Sequence, residues 1–490
     1  MKRILQVMMT AMMLIVPSAV ARAQYAEPEA ERPDSSQTTV LTLEDALRIA
    51  LSENIAVKVA DKEILRTEYA RKGTYAALFP QVDASGSFQR TIKKQVMYMD
   101  FDMGAMGGMG GDSAEGEQPS EETPDTGALT SGGGIEVGRW NTFNAGLSAS
   151  MPLVNASLWK SISISADAVE LAVEQARSSR LDMVTQVKQA YYSVLLAKQA
   201  FEVYKSVYEN AVDNFGVIEK RYKVAKASEL EYIQAKSNVA RAIPDVYNSE
   251  SQVVLALWQL KAVMGVDLEM DIDVAGSLED YAGTMLRDVV EGGVADLSGN
   301  TSLRQLEIQA NQLAKTVQLQ KYASLPSLSL GFAYSMNAMT NDFKFSEFKW
   351  TPYSYVGLSL NIPIFAGGKR HNQTRQAQVQ LDQLNLQKAN TEKQLQIAIR
   401  QNITTMETSM KSYAASLESV DLARKAYDIS AKSYSVGKST VTELNDAQLT
   451  LTQAELASSQ AVYEFLVAKS NLEKTLGRDF LDEEGNVNFE

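Results

Sequence analysis

Residues 194–222 read VLLAKQAFEVYKSVYENAVDNFGVIEKRY, with Val194, Phe201, Tyr208, Phe215 and Tyr222 seven apart. Residues 413–434, YAASLESVDLARKAYDISAKSY, carry a second ladder of the same period at Tyr413, Val420, Tyr427 and Tyr434. Each ladder ends at a short break, Val224-Ala225-Lys226-Ala227-Ser228 in one copy and Val436-Gly437-Lys438-Ser439-Thr440 in the other. New ladders begin beyond the breaks. One runs Tyr232, Val239, Val246, Val253, Leu260, flanked by Ala235, Ala242, Ser249 and Ala256. The other runs Leu444, Leu451, Ser458, Phe465, Leu472, flanked by Ala447, Ala454, Ala461 and Ala468. A strict seven-residue repeat makes helices supercoil left-handedly to keep one seam against a partner. Alanine on the second seam position lets the backbones approach. Each copy therefore predicts a helix, a tight turn and a returning helix.

Working outward, the segment LTLEDALRIAL from Leu41 opens a helix with Thr42 as N-cap and Asp45 three residues on. A second helix runs to about Leu78 and stops before Pro80, because the residue ahead of a proline disfavours helical geometry. Past Pro80 the period becomes two: Val82, Ala84, Gly86 and Phe88 alternate with polar residues, as do Phe143, Ala145, Leu147, Ala149 and Met151 before Pro152. Strands are expected at about 81–98 and 138–151, then a helical hairpin over 155–265 whose first helix is roughly 100 Å long at 1.5 Å per residue. From Asn300 the order begins again, with Pro326 in the place of Pro80 and Pro363 in that of Pro152. Strands are expected at about 327–340 and 350–362 and a hairpin over 366–476. The plan is a tandem duplication: repeats at 41–266 and 300–477, an acidic connector at 267–299 with a short helix around Tyr281 to Val290, and a tail at 478–490.

The 490 residues are 45% hydrophobic and 22% charged, with a formal charge of −13. Lys2-Arg3, an apolar run from Ile4 to Val16 and Ala21-Arg22-Ala23 form a secretory signal over 1–23. A polar leader over 24–40 follows. Loss of Lys2, Arg3 and Arg22 takes the charge from −13 to −16, which argues against nucleic acid as a partner. No later run approaches the roughly 20 apolar residues of a membrane helix. With no cysteine, disulfides, thiol catalysis and Cys-zinc sites are excluded. His371 is the only histidine, and no nucleophile elbow, zincin or nucleotide-binding motif occurs. The chain is expected to be no enzyme and to need no cofactor or metal. Met97, Met99, Met103, Met106 and Met109 lie in a Gly-rich acidic stretch to residue 134. The stretch reads as a mobile Gly/Met loop, with Cu(I), which favours thioethers, as the alternative.

Four strands with alternating faces cannot close a barrel alone, and open edges are not tolerated in lipid. Aromatic residues gather at the hairpin ends: Trp140, Phe143, Phe343, Phe345, Phe348, Trp350, Tyr353 and Tyr355. Such clusters fit the interfacial girdle of an outer-membrane barrel, or ordinary strand aromatics in a soluble sheet. Pooling strands from several subunits would close a barrel that the long helices continue.

The duplicated order, the LTLEDALRIAL opening, the prolines at helix–strand junctions (Pro80, Pro152, Pro326, Pro363) and the tip YSVGKSTVTELNDAQ resemble the TolC family of outer-membrane efflux ducts, from about Leu41 to Gly477. The resemblance implies a mixed α and β membrane protein. It would be a homotrimer whose twelve-stranded β-barrel, four strands per protomer, is continued by an α-helical coiled-coil tunnel. That places it in the outer membrane of a Gram-negative cell, among lipid and reaching into the periplasm. It also implies partners: a periplasmic adaptor (membrane fusion protein) and an inner-membrane pump of RND or ABC type. The adaptor-docking turns would be Val224, Ala225 and Lys226, and Val436, Gly437 and Lys438. Gly437 suits a turn needing positive φ, whereas Ala225 departs from the family's usual glycine. Glu443 and Asp446 match acidic residues that narrow the closed entrance, with Glu231 as counterpart of Glu443. In a trimer they would make stacked acidic rings, which concentrate cations. Read by base rate alone, they are solvated helix-surface acids. The competing class is a non-conducting structural coiled coil of the envelope. Cargo is not encoded in these motifs.

Overall fold

The computed structural model describes residues 39–97, 135–283, 285, 296–344 and 348–478. The signal segment, the methionine-rich stretch beyond Met97, Phe345 and the tail past Arg478 lie outside the described residues. In chain order the elements are β1 (Thr39–Leu41), α1 (Leu43–Glu53), α2 (Ile55–Ala76), β2 (Gln81–Arg90), β3 (Gln95–Met97), β4 (Ile135–Val137) and β5 (Asn141–Val154). They continue with α3 (Ala156–Lys223), α4 (Glu229–Met264), β6 (Ile272–Val274), α5 (Leu278–Ala282), α6 (Thr301–Tyr322), β7 (Ser327–Thr340), β8 (Thr351–Asn361), α7 (Lys369–Ser435) and α8 (Val441–Leu476).

Two compact units divide these elements. One gathers Val187–Gly283 and Ala415–Tyr463 with the described part of Met1–Ala50. Its small sheet pairs β1 with β6 in parallel, Val40 opposite Asp273. The stretch expected to be a loose leader thus ends in a strand at Thr39 and Val40, held by a partner in the expected connector. Tyr191, 1% exposed, fixes this pairing: its hydroxyl lies 2.6 Å from the Ala275 carbonyl and 3.1 Å from that of Leu41. Burial pushes the phenol's pKa well above its ordinary value. Lys198 adds a hydrogen bond to the Val274 carbonyl and an ion pair to Asp273. At the start of α1, Thr42 and Asp45 exchange side-chain and backbone bonds. They hold the Asp45 carboxyl below the usual carboxylate range. Helix α5 starts at Leu278, ahead of the expected Tyr281, because Ser277 and Asp280 form a capping box there.

The other unit gathers Leu51–Gln186 with the described parts of 284–414 and 464–490. Its antiparallel sheet has the order β2-β5-β7-β8. In register, Ala84, Leu147, Tyr334 and Ser354 lie side by side, and so do Ser87, Asn144, Asn337 and Thr351. Side chains alternate across a strand, so the first row's face carries Val82, Phe88, Ala149, Leu330, Phe332, Val356 and Leu358. The second row's face carries serine, asparagine and threonine, joined by Asn144 donating to Ser87 (3.3 Å) and Asn337 donating to Asn144 (2.7 Å). It also carries Tyr353 and Tyr355, in step with Thr351, so these two of the expected girdle aromatics lie on the polar face rather than the apolar one. Every residue of edge strand β2 is exposed, and ten of the eleven in edge strand β8 are too.

The strand expected over 81–98 is two. Thr91 still donates to the Trp140 carbonyl at 2.8 Å, but Gly138, at φ +96, turns the opposite chain away. β3 then pairs separately with β4. Pro152 does not end its strand either: β5 runs on to Val154 through a register shift between Pro152 and Val154. β2 has already stopped opposite Ser150, so only the β7 side of the ladder is paired there, and a missing N–H is tolerated.

Four ion pairs tie α3 to its neighbours in this unit: Arg180–Asp61 to α2, Lys315–Asp167 and Arg304–Glu170 to α6, and Lys474–Asp182 to α8. Helix α8 ends at Gly477, φ +65. The Gly477 N–H bonds the Lys474 carbonyl and the Arg478 N–H that of Glu473, a Schellman closure. Arg177 donates to the Gly477 carbonyl and Asn300 to that of Thr475, while the Asn300 Oδ1 also caps α6 through Leu303 N. Of the seven-residue ladders, Val194, Leu260 and Phe465 are fully buried, most other members are half-buried and Tyr222 is exposed, while the flanking Ala235, Ala242, Ser249, Ala256, Ala454, Ala461 and Ala468 are each under 9% exposed.

The helical tips as candidate functional site

Two turns close the helical hairpins, and they share two backbone bonds, differing only one residue earlier, where Val224 N bonds Arg221 O but Val436 N bonds Lys432 O. At the end of α3, Ala225 N bonds Tyr222 O (2.9 Å) and Lys226 N bonds Arg221 O (2.8 Å). At the end of α7, Gly437 N bonds Tyr434 O (3.0 Å) and Lys438 N bonds Ser433 O (2.9 Å). Both are Schellman closures, in which the second residue past the helix end must be left-handed. Gly437 meets that demand at φ +77. Ala225 meets it at φ +55, the one non-glycine positive φ among the described residues. A left-handed alanine costs about 1 kcal/mol, so Ala225→Gly is expected to steady this turn. The check is hydrogen exchange at Lys226, which should slow by up to about fivefold.

The structure brings the two turns together. The Arg221 guanidinium donates to the carbonyls of Tyr434 and Ser435, the last of α7. These carbonyls lie in the last turn, where the regular helical bonding runs out, and a cation suits the negative end of a helix. Behind Arg221 lies a core of Ile218, Ala235, Tyr434, Val441 and Leu444, with Phe215, Tyr232 and Tyr427 packed on it. Tyr222 stacks on Tyr232 with centroids 4.9 Å apart. The Tyr434 hydroxyl is buried without a hydrogen-bond partner. Burial, reinforced by the nearby Glu231 carboxylate and opposed by Arg221, raises its pKa.

Glu231 and Glu443 occupy equivalent positions. Ser228 N donates to Glu231 at 2.7 Å while Glu231 N donates to the Ser228 hydroxyl. Thr440 N donates to Glu443 at 3.1 Å while Glu443 N donates to the Thr440 hydroxyl. Each glutamate is the third residue of a capping box, which stabilises a helix start by about 1 kcal/mol. The Glu443 side chain remains exposed, as does Asp446 one turn on, whereas Glu231 is half-buried. Asp446 borders a cavity of about 380 Å³ lined also by Asn238, Asn445, Tyr427 and Tyr434, with Asn238 bonded to Asn445 at 2.9 Å. Sequence reading singled out the acids and the turns. It missed Arg221 and Tyr434 as tip contacts and the capping boxes, although S-x-x-E at 228–231 and T-x-x-E at 440–443 were on view.

The junction prolines are placed variously. Pro80 and Pro326 directly precede β2 and β7, Pro152 lies within β5, and Pro363 follows β8 with its carbonyl accepting from Arg370 at 3.1 Å. Among the described residues no group of three His, Cys, Asp or Glu is placed to hold a metal ion, and no helix is long and apolar enough to cross a membrane.

Comparison with known proteins agrees on one family. The model of the family "outer membrane efflux protein" matches residues 46–266 and 295–478. The outer membrane protein TolC of Vibrio cholerae is 21% identical over 238 residues, 48% of this chain and 54% of that protein, so the matched stretch spans about half of that relative. The alkaline protease secretion protein AprF of Pseudomonas aeruginosa is 23% identical over 314 residues, 62% of this chain and 63% of its own length. The fold resembles that of the Campylobacter jejuni CmeC outer membrane channel, with a TM-score of 0.67 at 17% identity, over 91% of this chain and 87% of that one. Family members are channel proteins. The chain belongs to the outer membrane efflux protein family and is a protein of the outer membrane.

Proposed function

We propose that this protein is the exit duct of a tripartite efflux or secretion system, conducting substrates passively from a periplasmic adaptor and inner-membrane pump to the exterior. One observation carries the reading: the four-stranded sheet has one apolar face, one polar face and, among the described residues, two unpaired edges. Lipid tolerates no unpaired backbone, so a membrane sheet of this kind needs other strands at both edges. Three copies supply twelve strands, with the polar rows lining a lumen and the apolar rows meeting hydrocarbon. The matching tips and the repeated element order fit a duplicated chain whose helices continue the wall into the periplasm. There Val224, Ala225, Lys226, Val436, Gly437 and Lys438 form the adaptor-docking surface, and Glu443, Asp446 and Glu231 narrow the entrance. The pump is of RND or ABC type, as the family's two uses, efflux and secretion, suggest.

The test is single-channel conductance of reconstituted trimers. Because Glu443 also caps α8, alanine there confounds charge with helix stability. Glutamine keeps the capping box, so Glu443→Gln/Asp446→Asn is the informative variant. The wild type should pass a small cation-selective current. In the variant the current should rise severalfold or lose its selectivity, as expected when an acidic constriction is neutralised. An unchanged current would move the constriction elsewhere. No current from verified trimers, even with the tips deleted, would favour a structural coiled coil of the envelope.

A further inference from the structure

The end of the sheet farthest in sequence from the long helices, where β2, β5, β7 and β8 meet their connecting loops, differs in charge from the rest of the chain. Among the described residues 90–97, 135–141, 340–344 and 348–351 there are six cations and two acids, in a protein of formal charge −13. One of the acids, Asp342, is taken up locally by the Thr340 hydroxyl at 2.9 Å. The cations stand on an aromatic platform. Phe88 and Phe143 pack at 4.8 Å, Phe143 and Phe348 at 5.0 Å, and Phe348 and Trp350 at 6.5 Å. The Arg90 guanidinium lies 5.9 Å over the Phe343 ring, and the Lys94 ammonium 4.9 Å over Trp140. Arg139 donates to the Met339 carbonyl at 3.2 Å. Among the described residues Arg90, Arg139, Lys344 and Lys349 make no ion pair, whereas Arg180, Arg304, Lys315 and Lys474 on the long helices and α6 are each matched to a carboxylate.

Direction decides the ligand. Arg90 follows Phe88 by two residues on one strand, so it lies on the apolar face rather than the polar one. A cation there meets whatever borders the hydrocarbon, not the lumen and its cargo. We infer that this rim, centred on Arg90, Lys94, Arg139 and Lys344, binds the phosphorylated headgroups of membrane lipid at the level of the aromatic girdle. Aromatic rings at the headgroup level carry the amphipathic part of such a contact, and basic side chains beside them carry the electrostatic part. The inference rests on the duct reading, which sets this end in the outer leaflet.

The experiment uses the full-length protein in detergent, titrated with mixed micelles of a phosphorylated lipid whose headgroup is an uncompensated phosphate monoester, or of a zwitterionic lipid with the same chains, whose phosphate is neutralised by its own ammonium. Wild type should prefer the phosphorylated lipid. Arg90→Gln/Lys94→Gln/Arg139→Gln/Lys344→Gln should lose about fivefold in affinity for each cation removed, compounding to more than about a hundredfold. Its affinity for the zwitterionic lipid should not change. Equal binding of both lipids by wild type, or equal headgroup preference in the variant, would overturn the inference. Residues 98–134 contain eight acids and no lysine or arginine, so a deletion of 101–134 is a required arm. If wild type shows no headgroup preference and the deletion creates one, the rim's partner is that segment and the lipid assignment fails. Conductance of the same preparations keeps the two readings apart: conducting trimers without headgroup preference would sink the lipid site and leave the duct. Verified trimers that pass no current, even with the tips deleted, would sink the duct.

Discussion

On the proposed duct reading, Gly437→Val is expected to cut export about tenfold while the proposed trimers form and melt as wild type does. The turn it sits in is a Schellman closure that holds residue 437 at φ +77. A β-branched residue is a genuine outlier there, at a cost of about 1–2 kcal/mol, and about 1.4 kcal/mol is a factor of ten in an equilibrium. A Cβ at this position meets nothing within 4 Å, so the damage is conformational and local to the turn. The other tip supplies an internal control. Alanine already occupies the equivalent position 225 at φ +55, so Gly437→Ala should fall between wild type and valine. Susceptibility to exported compounds and cross-linking to the adaptor would be measured beside trimer yield on a seminative gel. A valine variant with a wild-type susceptibility profile would remove this turn from the docking surface.

Gly477→Ala should act on the opposite kind of glycine and cost on the order of 3 kcal/mol or more. Its φ of +65 carries the same left-handed penalty, but here the space is filled as well. A Cβ would strike the Gly299 carbonyl and reach Asn300 N at 3.0 Å, backbone that cannot swing aside as a side chain can. Nearby, Arg177 and Asn300 each satisfy a carbonyl at the end of α8, and Asn300 also caps α6. Displacing one strand of this knot loosens two helix ends. Folded trimer should drop sharply in yield and Tm. A melting curve superimposable on wild type would show that the crowding relaxes without cost.

These two glycines also mark the limit of what the chain discloses on reading. The long helices, their turns and the strands around Phe88, Leu147 and Phe332 were legible, because periods of seven and two persist over many residues and prolines punctuate them. Pairing between β1 and β6 was not: three-residue strands have no period, and Val40 finds Asp273 only through tertiary contacts such as Tyr191. The break after Arg90 was hidden because it is set by Gly138 on a neighbouring segment, not by the sequence of β2 itself. At the tips, the acids were visible as charges. Their capping bonds to Ser228 and Thr440 required attention to three-residue spacing, and Arg221's reach to Tyr434 and Ser435 depends on two turns more than 200 residues apart.

The unpaired margins of β2 and β8 bear on how the protein comes into being. A sheet with ten exposed residues along one border and an apolar flank is a template for indiscriminate pairing before it is a wall. If copies pool their strands as proposed, the single polypeptide has no comfortable resting state in lipid, and its stability cannot be separated from the concentration of its fellows. Biogenesis should scale steeply with the number of chains delivered to the membrane. Escort proteins that shield strand borders in transit should limit the yield more than synthesis does.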